Sequence, residues 1–180
     1  MFNYVKDVSS ISHYIISKFC LNTEIAIDAT LGNGYDTDFL SSIFKKVYSF
    51  DIQKEAIDKY ACKNKKNVLL IQDSHEELNK YIKEKVNCVI YNLGFLPGGN
   101  KEITTKYNST ITSIKSALTL LDSGGFISIA IYTGHTEGKQ EEYYIKSLVK
   151  NLPKNKFAVL LHTFINRDNN PPSLIIIEKK

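Results

Sequence analysis

The strongest constraint on the fold is the alternation of short, almost unbroken apolar runs with segments of helical period. Ile25-Ala26-Ile27 ending in Asp28, Val47-Tyr48-Ser49-Phe50 ending in Asp51, Val68-Leu69-Leu70-Ile71, Val86 to Tyr91 and Gly125 to Tyr132 read as strands. A strand that is apolar on both faces must be covered on both sides, the condition of a parallel sheet in a layered α/β structure. The segments between supply the covers: Val8 to Cys20, with Ile11, Ile15, Ile16 and Phe19 at helical spacing, then Asp36 to Phe44, Lys54 to Lys63, His75 to Tyr81, Thr105 to Leu121 and Gln140 to Leu152. The rhythm breaks at the end. Phe157 to Ile165 and Ser173 to Ile177 follow one another with only Asn166-Arg167-Asp168-Asn169-Asn170-Pro171-Pro172 between them, too short for a crossover, so they pair antiparallel. The expected fold is α/β: a doubly wound, seven-stranded, mostly parallel sheet ending in an antiparallel hairpin.

A chain of 180 residues suffices for one full core, and residues 1–180 are expected to form one domain. No apolar run approaches the roughly 20 residues of a membrane span, and Met1-Phe2-Asn3-Tyr4-Val5-Lys6-Asp7 lacks the marks of a secretion signal. The cytoplasm is the expected compartment. Cys20, Cys62 and Cys88 form no C-x-x-C pair, so neither a disulfide framework nor a metal site is expected, and all three read as core fillers. The net charge of +4 permits a polyanionic partner; with Arg167 the sole arginine, phosphate contacts would be mainly lysine point charges.

In a doubly wound sheet the ligand lies beyond the carboxyl ends of the strands, so the tips are where chemistry is sought. The first is Asp28-Ala29-Thr30-Leu31-Gly32-Asn33-Gly34-Tyr35-Asp36-Thr37. Gly32 and Gly34 allow a tight turn and close approach of a ligand, and Asp36 is expected to cap the next helix. A dinucleotide site would carry a third glycine where Thr37 stands, and the Asp36 carboxylate would repel a pyrophosphate. The acidic surroundings suit a cation instead, and S-adenosylmethionine, with its amino group and sulfonium, is such a ligand. Asp51, roughly 20 residues further on, can accept both ribose hydroxyls, with Gln53 beside it. At the third tip Asp73 can accept an adenine amino group, and Ser74 and His75 can add contacts.

Two later loops point to the transferred group. Asn92, at the fourth tip, is followed by Leu93-Gly94-Phe95-Leu96-Pro97-Gly98-Gly99-Asn100-Lys101. A polar tip with an aromatic three residues on is similar to the [Asp/Asn]-Pro-Pro-[Tyr/Phe] loop of amino-group methyltransferases, although Leu93-Gly94 stands in place of Pro-Pro. The Asn92 amide oxygen can accept an N–H of an attacking nitrogen, and Phe95 offers a face to a planar base. At the fifth tip, Tyr132-Thr133-Gly134-His135, the histidine is the candidate base, and Glu142 is the candidate to orient it or the substrate amine.

These segments, together with the closing Asn169-Asn170-Pro171-Pro172-Ser173-Leu174, resemble the YtqB-like family of class I methyltransferases over nearly the whole chain. The family, labelled rRNA methylases, includes the enzyme that methylates 5-aminomethyl-2-thiouridine at the tRNA wobble position to 5-methylaminomethyl-2-thiouridine. It usually has Asp where Asn100 stands and uncharged residues near Thr136 and Glu137. The resemblance implies a Rossmann-like fold, S-adenosylmethionine as cofactor, no metal, and a tRNA anticodon region as partner, gripped by the catalytic domain with a second subunit as candidate helper. Asp28, Thr30, Gly32, Asn33, Gly34, Asp36, Thr37, Asp51, Gln53, Asp73, Ser74, His75 and Asn92 are then the expected cofactor residues. Phe95, Lys101, Tyr132, His135 and Glu142 are the expected substrate residues, Asn92 and His135 the catalytic ones, and Lys101, Lys106 and Arg167 candidate phosphate contacts. The competing expectations are a methyltransferase acting on rRNA or another RNA, a nicotinamide-dependent oxidoreductase, and a non-catalytic RNA-binding protein.

Overall fold

The computed structural model describes residues 2–95, 98 and 103–180. The elements run α1 (Val8–Phe19), β1 (Ile25–Asp28), α2 (Tyr35–Ile43), β2 (Lys46–Asp51), α3 (Lys54–Ala61), β3 (Val68–Gln72), a 3-10 turn (His75–Glu77) leading into α4 (Leu78–Tyr81), β4 (Val86–Asn92), α5 (Tyr107–Leu120), β5 (Leu121–Ile131), α6 (Thr136–Lys150), β6 (Phe157–His162) and β7 (Ser173–Lys179). The sheet order is β3-β2-β1-β4-β5-β7-β6. β3, β2, β1, β4 and β5 pair parallel, and β7 pairs antiparallel with both β5 and β6. The last strand is thus inserted between its two neighbours, which no hairpin signal in the sequence specifies.

Alternate residues of the inner strands β1, β2, β4, β5 and β7 feed opposite layers. Ile27, Phe50, Val89, Tyr91 and Ile127 lie in one cluster with Leu78, Ile114 and Ile145 from α4, α5 and α6; Ala26, Val47, Cys88 and Ile90 lie in the other with Ile11, Ile16 and Leu40 from α1 and α2. The two-residue period of the strand therefore explains why these inner runs had to be apolar throughout, whereas Leu69 of the edge strand β3 and Val159, Leu160 and Leu161 of the edge strand β6 are exposed. Cys20 and Cys88 are buried as expected, but Cys62 is exposed at the end of α3, where the chain has already turned away from the core.

Boundaries shift by three or four residues at three places. β5 begins at Leu121, inside the span read as helix, and β6 stops at His162, short of Ile165. α6 begins at Thr136, four residues before Gln140, because the His135 side chain accepts the Gly138 N–H and caps the helix. Among the described residues no helix is long and apolar enough to cross a membrane, and no cluster of His, Cys, Asp or Glu could hold a metal ion.

Candidate active site

Strand order reverses between β1 and β4, and at their carboxyl ends the chain opens into a cleft of about 340 Å³. Its walls include Thr30 to Asp36, Asp51 to Gln53, Asp73 to His75, Asn92 to Phe95, Thr105, Tyr132 and His135. The topology thus gathers into one wall Asp36, Asp51 and Asp73, acidic residues that the sequence scatters over 38 positions.

The glycine loop is shaped from below. Gly34 sits at φ +80°, ahead of the first turn of α2, and its N–H donates to the Leu31 carbonyl at 2.7 Å. Asp28 is fully buried and accepts the Thr30 N–H at 3.0 Å and the Thr37 hydroxyl at 2.6 Å, while Thr37 also meets the Ser49 hydroxyl at 2.7 Å. Asp28 and Thr37, expected to touch the ligand, do not line the cleft. They pin the loop from beneath. Asp36 is corrected as well: the cap position of α2 belongs to Gly34, and the Asp36 carboxylate accepts His13 Nε2 at 2.6 Å and Asn92 Nδ2 at 3.3 Å. His13, on α1 and stacked on Phe39 at 3.9 Å, was not singled out by the sequence, because a lone histidine on an amphipathic helix carries no motif.

The other tips are pre-arranged. Each Asp51 oxygen accepts one backbone N–H, from Gly32 and Gln53, both at 2.9 Å, which leaves a carboxylate further lone pairs for two hydroxyls. Asn33 accepts Lys59 Nζ at 3.2 Å. Asp73 accepts the Tyr81 hydroxyl, Lys80 Nζ and the Ser74 N–H, and these contacts, Tyr81 first, hold its carboxyl below the ordinary range. Ser74 caps the 3-10 turn. Burial pushes the His75 imidazolium down to about 4, so the ring is neutral at physiological pH. His75 Nδ1 is buried in the cleft wall with no hydrogen-bond partner among the described residues, the kind of atom a bound ligand satisfies.

On the substrate side, the Asn92 N–H donates to Thr30 Oγ1 at 2.8 Å, and its side-chain amide donates to Asp36. That leaves the Asn92 carbonyl oxygen as an acceptor. The role expected for His135 changes. Its Nδ1 accepts the Gly138 N–H at 3.0 Å, so in the neutral ring Nε2 carries the proton. Nε2, buried without a partner among the described residues, is a donor and not a base in this tautomer. Phe95 lies 5.8 Å from the His135 ring and Tyr132 lines the same wall, where burial raises its phenol above the usual value. Glu142 does not reach the cleft; it pairs with Lys146 at 2.8 Å on the outer face of α6. Its neighbour Glu141 is the buried carboxylate, accepting the hydroxyls of Thr105 at 2.8 Å and Thr110 at 2.5 Å. Thr105 in turn accepts the Gly94 N–H at 2.9 Å, so Glu141 anchors the loop after β4. Helical phase could have told the two glutamates apart, since Glu141 shares its face with Ile145 and Val149. Glu141→Ala is expected to lower the unfolding free energy by about 1–3 kcal/mol through orphaned buried hydroxyls, measured by urea denaturation, with Glu142→Ala unaffected.

Lys101 lies outside the described residues. Lys106 is exposed at the start of α5, and Arg167 packs on the Phe164 ring at 3.6 Å and donates to the Lys6 carbonyl at 3.0 Å.

The model of the family "Putative rRNA methylase" matches residues 47–178. The chain belongs to that family. This methylase is 38% identical to a putative rRNA methylase from Clostridium thermocellum whose crystal structure superposes with a TM-score of 0.93, covering 98% of this chain and 99% of that one. It is 41% identical to a putative methyltransferase from Streptococcus mutans solved in complex with SAH, with a TM-score of 0.90 and the same coverage. The chloroplastic tRNA (mnm(5)s(2)U34)-methyltransferase of Arabidopsis thaliana is 29% identical over 193 residues, covering 97% of this chain and 70% of that protein. The sheet of this methylase is thus a methyltransferase fold, as the alternation of elements and the terminal hairpin predicted.

Proposed function

We propose that this methylase binds S-adenosylmethionine in the β1–β4 cleft and methylates the amino nitrogen of 5-aminomethyl-2-thiouridine at the wobble position of tRNA. The observation that carries the reading is Asn92: its amide nitrogen is committed to Asp36, so its oxygen is left to accept an N–H at the edge of the cleft. The chloroplastic relative, by its name a tRNA (mnm(5)s(2)U34)-methyltransferase, is named for the methylated nucleotide this reaction would give, and so supports the reading.

The residues present fit the cofactor. The backbone of Gly32, Asn33 and Gly34 would cradle it, Asp51 and Gln53 would take the ribose, and Asp73, Ser74 and His75 the base, with the orphaned His75 Nδ1 as one waiting partner. When bound, S-adenosylmethionine supplies a sulfonium-activated methyl group that a free amine can take without a metal. The chain's own residues do the rest. Asn92 Oδ1 accepts one N–H and so aims the nitrogen lone pair. Phe95 and Tyr132 flank the base, and His135 Nε2–H donates to it. The amine must be a free base to react, and Asp36, hydrogen-bonded to His13, is the acceptor for its proton; the Asp36–His13 pair replaces His135 in that role. Asp36→Asn is expected to lower kcat by about 100-fold or more, with partial recovery as the pH is raised and the amine deprotonates unaided. A flat pH response would remove Asp36 from proton transfer.

The assignment is tested by mass spectrometry of tRNA nucleosides from a strain lacking the gene. Accumulated 5-aminomethyl-2-thiouridine and lost methyl product are expected. An unchanged profile overturns the wobble assignment, and a methyl group missing from rRNA instead would favour the target implied by the family's description.

A further inference from the structure

Beside the cleft, a second depression of about 550 Å³ is lined by Tyr107, Thr136, Lys139, Gln140, Tyr143 and Tyr144. The Tyr107 and Tyr144 rings stack at 4.3 Å and 14°, and Tyr143 meets Tyr144 edge-on at 5.2 Å and 83°. Tyr143 is 70% exposed and Tyr144 41%, on the outer side of α6, whose buried face is Gly138, Glu141, Ile145 and Val149. Their rings do not serve the core. Lys106 and Lys139 are exposed here with no ion pair among the described residues, and no acidic residue occupies the first turn of α5. Of the neighbouring carboxylates, Glu142 is paired with Lys146, and Glu137 lies 3.6 Å from His135.

The depression is lined by residues next in the chain to those of the cleft. Thr105 and Ser109 line the cleft while Tyr107, between them, lines the depression; His135 lines one and Thr136 the other. We propose that the Tyr107–Tyr144–Tyr143 stack, with Lys139 and Lys106, is the surface on which an unpaired base neighbouring the target nucleotide of the RNA substrate stacks. This rests on the reading that the substrate is RNA. Tyrosine faces extend a stack of planar bases whatever their sequence, and lysine ammonium groups beside them neutralise the adjoining phosphates. A paired base has both faces covered, so the platform selects a single-stranded loop over a duplex.

The test uses the full-length protein and the double variant Tyr143→Ala, Tyr144→Leu, with Tyr143→Phe, Tyr144→Phe as the conservative counterpart. A hairpin RNA carrying 2-aminopurine next to the target nucleotide should be quenched by the wild type and by the Phe pair, and not by the Ala/Leu pair. The Ala/Leu pair should raise KM for the hairpin about 5- to 100-fold, while cofactor affinity by calorimetry and weak binding to a fully paired duplex stay as in the wild type. Unchanged quenching and KM would overturn the platform while leaving RNA methylation standing. A Phe pair as defective as the Ala/Leu pair would overturn stacking in favour of the hydroxyls. A change in oligomeric state by light scattering, with KM intact, would make the surface an interface between copies and overturn it too. Wild-type protein that binds and methylates no RNA would overturn this proposal together with the function it rests on.

Discussion

Replacing Gly34 with alanine is expected to abolish cofactor binding and to destabilise the protein by about 2–5 kcal/mol. Two costs add at this position. The backbone is held at φ +80°, where a Cβ brings a penalty of about 1–2 kcal/mol. The new Cβ would also lie 2.2 Å from Cδ2 of Tyr60. Tyr60 cannot swing aside, because it is 3% exposed, packs with Leu31 and Ala56, and donates its hydroxyl to Asp38 at 2.9 Å. The loop must move instead, and overpacking of this kind costs about 1–3 kcal/mol more. Moving the loop displaces the Gly32 N–H that fixes Asp51, so the ribose acceptor is lost with the cradle. Thermal denaturation with calorimetric titration of S-adenosylmethionine measures both effects. In a cycle with Tyr60→Leu, the double variant should recover the clash but not the backbone penalty. A stable Gly34→Ala protein with full cofactor affinity would contradict the loop geometry.

Asp28 is expected to govern how stability depends on pH. Burial, then the charge of Asp36, raise its carboxyl from the ordinary carboxylate value of 3.8 to about 7, and the hydrogen bonds from Thr37 and Thr30 offset only part of this. With the folded-state pKa raised, the native protein binds more protons than the unfolded chain between about 4 and 7, so this group's contribution is fully present below the lower value and is lost as pH rises through about 7. The urea midpoint should therefore fall between pH 5.5 and pH 8, and Asp28→Asn should flatten that fall. The Asn amide still accepts the Thr30 N–H and can donate to Thr37, whose hydroxyl then donates to Ser49. Asp28→Ala leaves both groups unsatisfied and should cost about 2–5 kcal/mol at any pH. A slope unchanged in Asp28→Asn would place the titration elsewhere. Because Asp28 lies under the loop, the Ala variant should lose cofactor affinity through disorder of the Gly32–Gly34 turn, not through a missing contact.

Much of the fold was legible because it is local chemistry. Unbroken apolar runs required a sheet covered on both sides, the short connection before Ser173 required an antiparallel close, and the Gly32-Asn33-Gly34 turn announced a ligand loop. The acidic tips could be named because each stands at the end of its own strand. What the sequence determined, then, was which elements form and which ends carry polar groups, since period and composition act over a few residues.

Only the tertiary structure decided what those groups touch. It put Asp28 and Thr37 beneath the cleft and Asp36 in its wall, gave Asp36 a partner from α1 23 residues away, turned Glu141 inward and Glu142 outward, and spent the Nδ1 lone pair of His135 on a helix cap. It also slid β7 between β5 and β6. The reason is the same in each case. A side chain's role depends on which donors and charges lie within about 3 Å of it, and in a doubly wound sheet those neighbours come from strands and helices distant in the chain.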